Sequence, residues 1–396
     1  MLQLGISAFY HDSAACIVKN GKVLCAIEEE RFTEIKHDAS FPVNSIKWVL
    51  EKANIESIND IDEVCWYENP KTKKDRVTTI FNKRFFRTFH NRVKFLFNYY
   101  FYRPSLLLFL YFGYGGKIKY VDHHLSHAAF SYFTSSYKHA AVLTVDGVGE
   151  WETITISSAI NGKITKKLSI NFPNSLGMLY STITAFLGFK PNEGEYKVMG
   201  LAPYGDCKKY NKVFQKLYTE TSEGEFELNM EYFTYDYSDT HMFNEKLGQV
   251  FGFPNRLPDE PLEQYHKDLA ASLQYNYEKL FFRLLNELHN KTKSDNLCLS
   301  GGCAYNGTAN GKILKRTKFK NLYIPPAPSD AGSAIGCALN QWYNVEKNTE
   351  RKNNTNPFLG PFYTKEDILK SLEKYDIDIY YEKKLYEQII DIISDE

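Results

Sequence analysis

Apolar and polar residues alternate over residues 4–7, 14–18 and 23–27, and this period of two predicts three short strands. The segments between them are polar turns, "HDS" at 11–13 and "NGK" at 20–22. Asn-Gly supplies the positive φ angles that a two-residue hairpin needs. The same layout returns in "AVLTVDGVGEWETITISSAINGKITKKLSI", residues 141–170. There, 142–145 is a strand, "DGVGE" a polar turn and 153–158 a second strand. A second Asn-Gly-Lys at 161–163 leads into a third strand. Two copies of one layout, about 140 residues apart, imply a duplicated fold.

A helix-rich stretch follows each copy, at 43–54 and at 260–290. Two such α/β halves facing each other describe the actin-like architecture, a duplicated RNase H-like unit in two lobes. In it the first hairpin turn of each half faces a nucleotide's phosphates. Two unrelated α/β domains would leave the same local pattern, because short Asn-Gly hairpins are common. The expected boundaries are a first lobe at 1–140 with a helical insertion at 68–116, a second lobe at 141–343, and a linker with helices at 344–396.

At 396 residues the chain is too long for one compact core. Its 43% hydrophobic and 15% aromatic content is that of a well-packed globular protein. The 48 basic and 48 acidic residues cancel, so no global field favours nucleic acid and none is expected as a partner. Seven cysteines at 16, 25, 65, 207, 298, 303 and 337 form no CxxC pair, which predicts reduced thiols and a cytoplasmic setting. The N-terminus has no basic leader and reads as a strand, so no signal peptide is expected. The longest apolar stretch, 95–116, is broken by Arg103-Pro104 and falls short of the ~20 residues a membrane span needs.

Just before that break, Phe81, Phe85, Phe89, Val93 and Phe97 recur every four residues, with Lys83, Arg84, Arg87, Arg92 and Lys94 interleaved. A helical cap with its stripe packed on the core, over a pocket, fits this pattern. Weak contact of 79–112 with an anionic membrane surface fits it too.

Three segments carry candidate chemistry. In "VDHHLSHAAF" (121–130), His123 and His127 stand four apart, so both imidazoles project from one helix face. Such a pair is either metal-ligating or two polar residues near a helix start. Asp146, at a strand end in "LTVDGVGE", is flanked by Gly147 and Gly149, where the backbone can turn toward a ligand. Asp330, in "IPPAPSDAGSAIG" with Gly332, is a further carboxylate or a plain helix N-cap. Two imidazoles and two carboxylates suit Fe(II), Mn(II) or Zn(II) better than Ca(II) or Mg(II). No spacing rule makes the four converge. In "LCLSGGCAYNGTANGKIL" (297–314), a strand runs into Gly301-Gly302, with Asn306 following at a helix start. Such a turn admits a nucleotide phosphate, or serves no ligand at all. Lys197, in "NEGEYKVMGLAPYG", is a point charge for a phosphate or carbonyl oxygen, or an exposed loop lysine.

Together these segments resemble the O-carbamoyltransferases of the nodulation and antibiotic-biosynthesis type. The match runs in family order from "LGISAFYHDSAACIVKNGKVLCAIEEERFT" through "IKHDASFP", "DHHLSHAA", "LTVDGVGE", "SLGMLYSTITAFLGF" and "GEYKVMGLAPYG" to "LSGGCAYNGTANGKIL" and "PPAPSDAGSAIG", roughly residues 1–365. The resemblance implies an actin-like domain akin to the tRNA threonylcarbamoyl-transfer subunit. It also implies a metal, usually iron, on His123, His127, Asp146 and Asp330. Carbamoyladenylate, made from carbamoyl phosphate and ATP, would be the donor, and a hydroxyl of a sugar or other small molecule the acceptor. Gly147, Gly149, Gly301, Gly302, Asn306 and Gly332 would line the nucleotide, and Lys197 would add charge near the leaving group. His11 and Asp12 are the nearest base candidates, with His11 preferred because its ordinary pKa lies near neutrality. Family members continue into a YrdC-like domain that builds the adenylate. Here a polar segment (344–357) precedes two helices, the first with a capping box at Thr364 and Asp367. The expectation is a transfer domain whose YrdC-like partner is a separate polypeptide or absent. The rival readings are a non-catalytic metal- and nucleotide-binding paralogue and an actin-like kinase.

Overall fold

The computed structural model describes residues 1–83, 103–238, 240–375 and 385–394. The first sheet holds β1 (Leu2–Ser7), β2 (Ala14–Lys19), β3 (Lys22–Glu28), β4 (Glu63–Trp66) and β5 (Ile118–Tyr120), in the order β3-β2-β1-β4-β5. The first three strands form an antiparallel meander, and β4 and β5 join in parallel. The second sheet holds β6 (His139–Val145), β7 (Glu152–Ile160) and β8 (Lys163–Asn171). A small hairpin, β9 (Tyr218–Glu220) with β10 (Phe226–Leu228), stands apart. The second sheet is completed by β11 (Asn296–Ser300) and β12 (Asn321–Tyr323), in the order β8-β7-β6-β11-β12. Strand order and direction repeat, meander first and parallel pair second. This is the duplicated, actin-like α/β fold. Both Asn-Gly pairs carry the required positive φ, 49° and 76° at Asn20-Gly21 and 48° and 88° at Asn161-Gly162.

Strand alternation gives each sheet two apolar faces, and each face takes a helix. On the first sheet, Cys25 on β3 turns toward Val49 of the Val43–Lys52 helix. The opposite side, with Gly5 and Cys16, meets Ala334 of the Asp330–Asn340 helix. On the second sheet the Gln264–Thr292 helix packs over β6 and β7 on one side, and the His123–Thr134 helix lies on the other. The two inner helices, His123–Thr134 and Asp330–Asn340, pack on each other. Only glycine allows their approach: a Cβ on Gly336 would stand 1.9 Å from the Ser126 carbonyl oxygen, and one on Gly332 would stand 2.2 Å from the Phe130 ring.

Two boundaries differ from the sequence reading. The Asp330–Asn340 helix falls within 141–343 but packs on β1, β2 and β4 of the first sheet, because Gly5 leaves room for its backbone. Nor is 344–357 a free linker. The Arg351 guanidinium donates to the carbonyls of Tyr132, Ser135 and Tyr137, and Asn354 pairs with Val23 N and Gly21 O. The compact unit therefore runs from Met1 to Leu359. Residues 360–396 form a second unit whose Lys365–Leu372 helix begins at the expected Thr364/Asp367 capping box.

In the insertion, the described elements are the Pro70–Lys83 and Pro104–Phe112 helices. Phe85, Phe89, Val93 and Phe97 of the stripe, with most of its interleaved cations, lie outside the described residues. Among the described residues, no helix is long and apolar enough to cross a membrane. All seven cysteines are free.

Candidate metal centre and donor site

The two inner helices bring the four expected ligands together. His123 and His127 sit one turn apart on one helix, Asp330 opens the other, and Asp146 follows the last residue of β6. Their side chains are 2%, 0%, 0% and 7% exposed, and one donor atom from each lies within 4.8 Å of every other. His123 Nε2 is 2.8 Å from Asp146 Oδ2, 3.5 Å from Asp330 Oδ1 and 3.1 Å from His127 Nε2. His127 Nε2 is 3.3 Å from both Asp146 Oδ2 and Asp330 Oδ1.

These spacings fit a cation. Ligands at about 2.0–2.1 Å from a tetrahedral ion stand about 3.3 Å from one another, close to what is found. Two imidazole nitrogens 3.1 Å apart repel unless a proton or cation lies between them. Asp330 Oδ1, fully buried, has no hydrogen-bond partner, a cost that coordination would remove. Asp330 is no N-cap: Ser329 holds that position and Asp330 is the first helical residue.

A second layer of contacts orients these four side chains. Ser333 Oγ lies 3.0 Å from His127 Nδ1 and holds the ring with Nε2 toward the cluster. Gly302 N donates to Asp146 Oδ1 at 3.1 Å. The Tyr67 hydroxyl is 3.5 Å from Asp330 Oδ2. Glu150 reaches across to accept His123 N at 3.0 and 3.1 Å and Asn69 N at 2.6 Å, satisfying the helix start that Asp122 leaves uncapped. Burial lowers the His123 pKa, but the carboxylates of Asp330 and Asp146 overcome it and raise it to about 9. Burial pushes Asp146 up, yet hydrogen bonds from His123 and His127 hold it well below the usual carboxylate range.

His11 and Asp12 adjoin the cluster. His11 Nδ1 is 2.9 Å from Asp12 Oδ2, and Nε2 is 3.9 Å from Asp330 Oδ2. Asp12 is fixed further by His37 Nδ1 at 2.6 Å and by Ser329 Oγ at 2.9 Å. Burial lowers the His11 pKa, but Asp330, Asp12 and Asp146 outweigh it and lift it to about 10. In the ion-free protein His11 is thus a cation at neutral pH, and its ordinary pKa is no guide to its role. The physical reason is the concentration of carboxylate charge around it.

The other candidates divide. Gly147 is open, since a Cβ there would meet only Met178 sulfur at 3.8 Å. Gly149 abuts the His123 ring, and Gly301, at φ 95°, lies over the Val145 carbonyl. Asn306 caps the Gly307–Asn310 turn and pairs with Gln274. Gly332 is buried in the helix–helix contact. Lys197 is exposed on the Glu195–Leu201 helix and joins no hydrogen bond or ion pair with the cluster. Sequence reasoning missed Tyr67, Glu150, Ser333 and His37. Glu150, Ser333 and His37 stand inside the motifs already singled out, and only the folded chain assigns them a partner.

The carbamoyltransferase N-terminus family matches residues 2–339, and the chain belongs to that family. An uncharacterized protein of Synechocystis sp. is 40% identical over 409 residues, 99% of this chain and 66% of its own length. Nodulation protein NolNO of Sinorhizobium fredii is 30% identical over 360 residues, 90% of this chain and 50% of its own length. The chain thus spans about half to two-thirds of these relatives. Among solved structures, the Acidaminococcus fermentans (R)-2-hydroxyglutaryl-CoA dehydratase component A aligns at 14% identity and a TM-score of 0.46, covering 87% of this chain and 99% of that one.

Proposed function

We propose that this chain performs the transfer step of an O-carbamoyltransferase, moving a carbamoyl group from carbamoyladenylate to a hydroxyl of a sugar or natural product. The observation that supports this most is the buried His123, His127, Asp146 and Asp330 cluster facing His11, in a chain of the carbamoyltransferase family. Carbamoyladenylate, formed from carbamoyl phosphate and ATP, is a mixed anhydride with AMP as leaving group.

The four residues would hold one divalent ion, Fe(II) in this proposal with Mn(II) or Zn(II) able to replace it. Bound there, it supplies Lewis-acid stabilisation of oxygen charge. His123 and His127 contribute neutral imidazole nitrogens, and the two aspartates balance the charge. Burial favours the neutral His11 ring, and an ion held by Asp330 and Asp146 would offset two of the carboxylates that raise its pKa. His11, held through Nδ1 by Asp12, then presents Nε2 to the acceptor hydroxyl as a general base. The hydroxyl oxygen forms a bond to the carbamoyl carbon, its proton passes to His11, and the bond to the phosphate oxygen breaks, releasing AMP. The open backbone at Gly147 and the Gly301-Gly302 turn would admit the adenylate phosphate.

The test supplies carbamoyladenylate to metal-loaded protein with a panel of hydroxyl acceptors and follows AMP release. The proposal expects acceptor-dependent release that His11→Ala lowers about 10²–10⁴-fold with metal content unchanged. Nucleotide and metal binding without release for any acceptor would favour the non-catalytic paralogue instead.

A further inference from the structure

Arg76, on the Pro70–Lys83 helix, is only 7% exposed. Among the described residues its guanidinium makes no hydrogen bond and no ion pair, and Nε is buried without a partner. It stacks instead on Phe172, with Cζ 5.2 Å from the ring centroid. A buried cation without a counter-ion is costly, and five donors in a fixed fork are the geometry that binds an oxyanion.

Its position ties it to the metal cluster. The helix start is anchored at Asn69 N by Glu150, the same carboxylate that holds His123 N. One residue before Arg76, Asp75 accepts the Trp151 indole N–H at 3.2 Å, fastening the helix to the loop after Asp146. The Tyr10 phenol, next to His11, lies in the field of Arg76 as well as of Asp146 and Asp330. Glu68 and Glu150 also bear on Arg76, but Glu68 pairs with Lys73 and Glu150 is taken up by backbone amides.

We infer that Arg76 binds the phosphate oxyanion of the donor beside the metal cluster, bridging the first-lobe insertion and the second lobe. The inference deepens the carbamoyladenylate reading and rests on it for the nucleotide, though not for the anion. In the free protein the guanidinium stands ready with its donors unspent, and as the anhydride opens it meets the charge gathering on the AMP phosphate.

The experiment measures binding of inorganic phosphate, AMP and adenosine to wild type, Arg76→Met and Arg76→Lys by calorimetry, with melting curves of each free protein. Arg76→Met is expected to weaken phosphate and AMP about 10- to 100-fold and to leave adenosine unchanged. Arg76→Lys recovers part of the loss. Melting temperature stays level or rises, since an unpaired buried charge is removed. Phosphate and AMP bound by Arg76→Met as by wild type would overturn the inference. So would a fall in melting temperature with all three probes weakened alike, the mark of a structural role. If phosphate binding depends on Arg76 but AMP binds no better than phosphate and adenosine not at all, the anion site stands and the adenylate reading falls.

Discussion

Gly336→Ala tests how the fold assembles the cluster. The added Cβ would lie 1.9 Å from the Ser126 carbonyl oxygen, 2.8 Å from its carbon and 3.0 Å from Phe130 Cβ. Two of these atoms are backbone of the helix that carries His123 and His127, so no side chain can swing aside. To reach even 3.0 Å the helices must part by about 1.1 Å at that point. Asp330 opens the same helix six residues, about 9 Å, away, so a rigid parting of the two helices carries it along. Metal–ligand distances tolerate about 0.2 Å. The substitution should therefore lower metal affinity at least about 10-fold and cost about 1–3 kcal/mol of stability. Gly307→Ala, where a Cβ meets nothing within 4 Å and φ is not positive, is the control and should change neither. Metal content after dialysis and urea unfolding with and without chelator give both readings. A Gly336→Ala protein with full metal content and unshifted unfolding would refute the argument that glycine-mediated helix approach places Asp330.

Ser333→Ala removes the partner of His127 Nδ1 and should weaken metal binding about 10- to 100-fold, with little change in melting of the metal-free protein; equal affinities in a competition titration would contradict this. Because Asp330 and Asp146 keep His123 protonated up to about 9, metal binding at pH 7 must expel that proton. The binding enthalpy measured by calorimetry should then vary with the ionisation enthalpy of the buffer, and a constant value would count against it. Exposed Phe109, Leu110 and Tyr111 on the Pro104–Phe112 helix, which follows the basic stripe in sequence, predict sedimentation with anionic vesicles that fades with salt. Pelleting no greater than with neutral lipid would leave the stripe as a pocket cap.

The parts of the fold that were legible are those fixed by local chemistry. Asn20-Gly21 and Asn161-Gly162 set two hairpins through positive φ, and alternation placed six strands to within a few residues. The duplication followed from them. The cluster was legible only in part. His123 and His127 share one helix face by spacing, but Asp146 and Asp330 joined them through family resemblance, because convergence depends on two helices crossing. The residues that permit the crossing, Gly332 and Gly336, look in sequence like any small residues of an "AGSAIG" run. Arg351 and Asn354, which bind 344–359 to the first lobe, sit in a segment whose composition resembles a linker. The surroundings of His11 were not legible either: Asp330, Asp12 and Asp146 raise its pKa above the ordinary value.

The central claim, that His123, His127, Asp146 and Asp330 hold one metal ion, is tested most directly by anomalous diffraction from crystals of the metal-loaded protein. The account predicts a single strong peak between His123 Nε2, His127 Nε2, Asp146 Oδ2 and Asp330 Oδ1, about 2 Å from each. No peak there, or the principal peak at the neighbouring Asp12, Glu30 and His37 group, would contradict it.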